Sequence, residues 1–169
     1  MARLQVPVQL RWSDMDAYGH VNNVEMLRLL EESRIEAFWA HPAAADPLGP
    51  GEVPADRPAF PTAVLDAGPG AQTATLVARQ EIEYLRPLGY RRTPVVVDMW
   101  IGHLGGASID VCYEVRDATP AAGDPYARAV TTLVLVDAAS GSPRRIGEAE
   151  RAAWLPYVEE PPAFRRRAR

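Results

Sequence analysis

Lysine is absent: all 18 basic residues of this 169-residue chain are arginine, and 22 acidic residues outnumber them. With a net charge of −4, the chain lacks the basic excess that nucleic-acid binding requires, so no nucleic-acid partner is expected. Cysteine is nearly absent. Cys112 alone cannot form an internal disulfide or a cysteine-based zinc site, and its alternating surroundings suit a small core residue. No apolar run approaches the roughly 18 residues of a membrane span, and Met1-Ala2-Arg3-Leu4 lacks the apolar centre of a secretory signal. No membrane partner and a cytoplasmic location are the expectations. No internal repeat is present. The length suits one domain, placed at residues 1–160, followed by a basic tail at 161–169 that is expected to fray.

What is present is pattern. Residues 4–12 put Leu4, Val6, Val8, Leu10 and Trp12 on one side and Gln5, Gln9 and Arg11 on the other. That period of two predicts a strand with one buried face. The period lengthens over residues 23–40, where Leu27, Leu30, Arg34, Ile35, Phe38 and Trp39 recur at spacings of three and four. This predicts an amphipathic helix. Asn22 is placed to cap it, and His41-Pro42 must end it. Residues 41–61 are rich in Pro, Gly, Ala and Asp and read as a flap or loop insertion. Strands follow at 73–84, 94–103, 108–117 and 126–136, with Gly105-Gly106 as a tight hairpin between the second and third of these. Residues 147–154 can form a short closing helix.

One strand, one long helix and four further strands make an α+β domain, a long antiparallel sheet wrapped around one central helix. The far face of that sheet keeps apolar positions such as Val130, Val134 and Val136. A second copy of the chain is the simplest cover, so a homodimer or homotetramer is expected.

The chemistry concentrates in Asp14-Met15-Asp16-Ala17-Tyr18-Gly19-His20-Val21-Asn22-Asn23. These residues join a strand to a helix whose first N–H groups lack intrahelical acceptors. A carbonyl placed there would be polarised, and an oxyanion favoured more strongly. A carboxylate and oxyanion donors in one short segment is the geometry of acyl transfer. A metal site built from Asp14, Asp16 and His20 would crowd its ligands into one loop, so no metal is expected. His103, at a strand end, reads as structural.

With Arg11-Trp12-Ser13 before it and Glu31-Glu32-Ser33-Arg34 after it, this segment resembles the signature of the 4-hydroxybenzoyl-CoA thioesterase family. That family includes long-chain acyl-CoA and plant acyl-carrier-protein thioesterases. Further likeness lies in Tyr84-Leu85-Arg86-Pro87-Leu88 and in Leu104-Gly105-Gly106-Ala107-Ser108, so the resemblance spans about residues 4–138. It implies the hot-dog fold and hydrolysis of an acyl-CoA or acyl-carrier thioester. No cofactor is implied beyond the coenzyme A of the substrate.

The resemblance puts the catalytic carboxylate at Asp16, as nucleophile or as general base for water. It puts a supporting histidine at His20, and the backbone oxyanion donor at Asn23, with Val24 as a second candidate. Tyr18 stands where acyl-carrier enzymes carry asparagine, which shifts weight onto Asp16. Asp14 and Asn22 are expected to be structural. Substrate contacts are expected from Tyr18, Val21, Met26 and Phe60, with Leu27 and Trp39 as further apolar candidates. Arg86 and Arg91, with Arg92, are candidates for phosphate. A non-catalytic acyl-CoA or acyl-carrier binding protein and a hot-dog dehydratase are the alternatives.

Overall fold

The computed structural model describes residues 2–40, 60–66, 70–118 and 124–165. Of the expected flap, residues 41–59 lie outside the described residues. Strand β1 (Leu4–Val8) buries Leu4, Val6 and Val8 in strict alternation. It stops short of the expected residue 12. The chain instead turns through a short 3-10 segment at Trp12–Asp14, because Asp14 Oδ2 accepts from the Arg11 N–H at 2.7 Å. Helix α1 (Asn23–Phe38) follows, and Asn22 caps it by accepting from the Val24 N–H at 2.9 Å.

Strands β2 (Thr73–Tyr84), β3 (Val95–Leu104), β4 (Ser108–Asp117) and β5 (Ala127–Asp137) complete one five-stranded sheet. Its order is β1-β3-β4-β5-β2, and every pairing is antiparallel. Glycine closes the β3–β4 hairpin as expected, with the Gly105 N–H donating to Ser108 O at 2.9 Å. Helix α2 (Glu148–Trp154) comes last. One long sheet around one helix is the hot-dog arrangement that the sequence implied.

A single apolar cluster joins Met26, Leu29, Leu30 and Phe38 of α1 to Val97, Ile109, Val111, Leu133 and Leu135 of the sheet. Each such burial stabilises by about 1.5–3 kcal/mol before the entropy cost of ordering the side chain. The buried stripe of α1 differs from the expected one. It runs through Met26, Leu29, Leu30, Ser33, Arg34, Ala37 and Phe38, while Ile35 is 42% exposed. Small Ser33 and Ala37 let the helix sit close to the sheet, and the Ser33 hydroxyl returns to Leu29 O at 2.8 Å. Leu27 and Ile35 are thereby turned toward β2, where they border a groove.

Helix α2 fastens the far end of α1. Trp154 is fully buried, its ring 6.0 Å from that of Phe38, and its indole N–H donates to Thr62 O at 3.0 Å. Thr62 in turn donates its hydroxyl to Ala37 O at 2.6 Å. The backbone joins here too: Leu65 N–H donates to Phe38 O, and Ala40 N–H to Leu65 O.

On the far face of the sheet, Val136 is buried and bridges Pro143, whereas Val130 and Val134 are half-buried. The segment expected to fray is described as far as Arg165. Pro161 lies over Gly102, Trp100 donates its indole N–H to Glu160 O, and Arg128 reaches Ala163 O. The apolar surface left over lies instead at the β2 edge, where Leu76 is 55% and Val77 48% exposed.

Candidate active site

The loop between β1 and α1 is a closed unit. Met15 and Val21 pair as an isolated bridge, Asp16 N–H donates to His20 O at 2.7 Å, and Gly19 N–H donates to Asp16 O at 3.1 Å. The turn needs a residue at φ +75°, and Gly19 supplies it without the strain a Cβ would bring. Val21 N–H donates to Leu88 O at 2.8 Å and His20 bridges Gly89, which pins the loop to the segment after β2.

The two carboxylates of this loop have different surroundings. Asp14 is fully buried and is used up by the Arg11 backbone and guanidinium; its own carbonyl accepts from Asn22 N–H. It is structural, as expected. Asp16 is half-buried, and only its Oδ1 is engaged, by Tyr18 N–H at 2.8 Å and His20 N–H at 3.1 Å. The His20 N–H chiefly, then the Tyr18 N–H and the nearby imidazole, hold the Asp16 carboxyl below the usual aspartate range against its partial burial. Asp16 is therefore ionised at neutral pH, with Oδ2 unengaged among the described residues.

The first two N–H groups of α1 differ in their partners. The Val24 N–H is occupied by its own cap, Asn22 Oδ1. Asn23 N–H, the first of the helix, has no acceptor among the described residues. Of the two expected donors, the Asn23 N–H is unpaired among the described residues and the Val24 N–H is engaged by its cap.

Beside the loop lies a cavity of about 310 Å³ lined by His20, Val21, Met26, Tyr84, Leu85, Arg86, Pro87 and Leu88. It brings together His20 and three of the expected substrate residues, Val21, Met26 and Arg86. Tyr18 is 85% exposed and does not line it. Phe60 lines a separate cavity between β1 and α1. Arg91 is held elsewhere, pairing with Asp117 and donating to the Tyr126 hydroxyl at 2.6 Å. Arg86 stacks on the same Tyr126 ring at 3.6 Å and also reaches Asp117, while keeping a place at the cavity wall.

One residue of the cavity had no role assigned from the sequence. Tyr84 donates its hydroxyl to Asn23 O at 3.2 Å, tying the end of β2 to the start of α1. Partial burial raises its phenol above the ordinary range, so it stays a donor. Its only signal in the sequence was its place at the head of Tyr84-Leu85-Arg86-Pro87-Leu88. Among the described residues, no group of three or more His, Cys, Asp or Glu is placed to hold a metal ion.

His20 borders the cavity beside the loop, while Asp16 and Asn23 flank it in sequence without lining it; an ionised carboxylate, an imidazole and a helix N-terminal amide in one loop are the groups that acyl transfer uses. The profile of the thioesterase-like superfamily matches residues 10–164, which take in the loop, α1 and strands β2 to β5. The chain belongs to the thioesterase-like superfamily. Three solved structures are similar to this superfamily member. The PA5185 protein of Pseudomonas aeruginosa strain PAO1 is 19% identical, with a TM-score of 0.67 and 94% of each chain covered. A thioesterase-superfamily protein of Jannaschia sp. CCS1 is 17% identical, with a TM-score of 0.65 and again 94% of each covered. These two share the fold. A thioesterase of Thermus thermophilus, solved with coenzyme A and Zn, is 27% identical, with a TM-score of 0.60 and coverage of 90% of this chain and 92% of that one. No curated protein matches. Superfamily membership supports thioester hydrolysis in general terms. Among the described residues, no helix is long and apolar enough to cross a membrane.

Proposed function

We propose that this protein hydrolyses an acyl-CoA thioester to the free acid and coenzyme A, with Asp16 as the reacting carboxylate. The observation that carries the proposal is the state of Asp16. It is ionised, oriented through Oδ1 by two backbone N–H groups, and leaves Oδ2 unengaged among the described residues, in the same loop-to-helix segment as the unpaired Asn23 N–H. In the nucleophilic route, Oδ2 attacks the thioester carbon, Asn23 N–H stabilises the oxyanion, and the carbon–sulfur bond breaks. The thiolate then takes a proton, for which the His20 imidazole at the cavity wall is a donor, and water hydrolyses the acyl-Asp16 anhydride. In the general-base route, the same carboxylate removes a proton from water as that water attacks.

In this reading the pantetheine arm lies in the cavity along Val21, Met26, Tyr84 and Arg86. Arg86 faces the phosphate end, and Arg91 acts by holding Asp117 and Tyr126 beneath it. Coenzyme A bound to the Thermus thermophilus relative supports a coenzyme A thioester over a carrier-protein thioester. No metal or organic cofactor takes part, and the location is cytoplasmic. The assembly is a homodimer through β2. Among the described residues that strand is hydrogen-bonded on one side only, and it exposes Leu76 and Val77, leaving an edge that a second copy can extend.

The test is thiol release from short-chain, long-chain and aromatic acyl-CoAs, with and without a chelator. Hydrolysis that survives chelation is expected. Tight binding of acyl-CoA with no release across the set would overturn the proposal in favour of a binding protein.

A further inference from the structure

Among the described residues, the buried Arg34 guanidinium has only a long contact with an exposed carboxylate. Its side chain is 4% exposed, and its nearest carboxylate, Glu31, stands 3.8 Å from Nη2 and is 57% exposed. Nη1 donates to the Tyr113 hydroxyl at 3.0 Å. Nε is buried with no partner among the described residues. The donors left over, Nε and Nη2, form one edge of the planar group, the edge that accepts a carboxylate side-on through two parallel bonds. A neutral hydroxyl would satisfy only one of them.

Nε is closed off from solvent, but Arg34 as a residue borders open space. Arg34 lines two adjoining cavities between α1 and β2, of about 210 and 300 Å³, which share Glu31, Arg34 and Val77. The first runs from Val24, next to the Asn23 amide, past Leu27 to Arg34. The second continues by Ile35, Trp39 and Leu133. Val24 and Arg34 are ten residues apart on one helix, about 15 Å along its axis, and side chains leaning toward the N-terminus shorten the reach. The charged residues of the first cavity are Arg28, Glu31 and Arg34, a cationic balance. Arg28 is tied to Glu25 at 3.4 Å, which leaves the long contact with exposed Glu31 as the only counter-charge to Arg34 among the described residues.

We infer that the groove between α1 and β2 holds the acyl chain of the substrate, and that Arg34 selects a medium-length chain ending in a carboxylate. The inference rests on the proposed thioesterase reading. With the thioester carbon at Asn23 and Asp16, the chain runs along Val24, Leu27 and Val77. Its terminal carboxylate meets Nε and Nη2 of Arg34 and displaces the loose contact with Glu31.

The test measures binding, so it stands apart from turnover. Non-hydrolysable thioether analogues of coenzyme A, with ω-carboxy chains and with methyl-terminated chains of equal length, are titrated into the full-length protein. Wild type is expected to bind the carboxylate twin roughly tenfold to a hundredfold more tightly, as two charge-assisted hydrogen bonds warrant. Arg34→Met should erase that preference. Gln80→Glu puts a competing carboxylate into the same groove at an exposed position with no change of shape, and should erase it as well. Equal binding of the twins by wild type at every length overturns the inference, as does a preference that survives both substitutions. An intact preference without any thiol release from hydrolysable thioesters supports the inference and overturns the hydrolytic reading instead.

Discussion

Replacing Asp16 by asparagine separates chemistry from architecture at one atom. The oxygen of the introduced amide can still accept from Tyr18 N–H and His20 N–H, the two bonds that now end on Asp16 Oδ1 at 2.8 and 3.1 Å. The turn is also held by Asp16 N–H on His20 O and by Gly19 N–H on Asp16 O, neither of which uses the side chain. The melting temperature should therefore stay within roughly 2 °C of wild type, as for an isosteric change that keeps both hydrogen bonds. What is lost is the charge and the second oxygen. A positioned acid–base group contributes about 10² to 10⁴ in rate, so kcat for acyl-CoA hydrolysis should fall by about that factor, with KM little changed. Stopped-flow or coupled thiol assays alongside calorimetry read both quantities. Wild-type turnover in Asp16→Asn would refute the assignment, and a large fall in melting temperature would show that the charge, rather than the acceptor, holds the loop.

Four further expectations follow from named contacts. Asn22→Ala removes the cap on Val24 N–H and should cost about 1 kcal/mol, a fall of roughly 2–4 °C in melting temperature. Gly19→Ala forces a Cβ into φ +75°, costing about 1–2 kcal/mol, and should lower activity further by shifting His20. Cys112 is fully buried, and burial chiefly pushes its thiol up to about 12. Ellman's reagent at pH 8 should leave it untouched in the native protein and label it rapidly in denaturant. Glu150 is held below the ordinary glutamate range chiefly by its hydrogen bond from Arg144. Its stabilising contribution is present above the unfolded-state value and is lost as pH falls through the lowered folded value. Urea titrations of wild type and Glu150→Gln should therefore converge in acid and separate near neutrality.

The fold was legible in the sequence because its two periods are clean. Alternation placed β2 to β5 within a residue of their observed limits, and Asn22 marked the start of α1. The rotation of α1 was misjudged, since apolarity alone favoured Leu27 and Ile35. Close packing instead selects the small Ser33 and Ala37, a choice that depends on the surface opposite the helix. In the loop, Asp16, His20 and Asn23 could be named because they are neighbours in sequence. Tyr84, Asp117 and Tyr126 could not, for their roles arise from contacts across the sheet that no local pattern encodes. Arg91 was taken for a ligand contact because a loop arginine shows its charge in the sequence and hides its partners. The resemblance named Val24 N–H as a second donor, but the expected Asn22 cap occupies that same N–H.

The paired backbone at Trp39 and Leu65, locked by Ala40, Thr62 and Trp154, has a practical consequence. It joins the described chain on either side of residues 41–59 at Trp39 and Leu65, whatever runs between them. Closing a longer segment across such a clasp costs only about 0.6 kcal/mol for each doubling of its length. The clasp therefore works as a grafting port, where an exchanged stretch of quite different length should be tolerated while the sheet, α1 and the Asp16 loop keep their geometry.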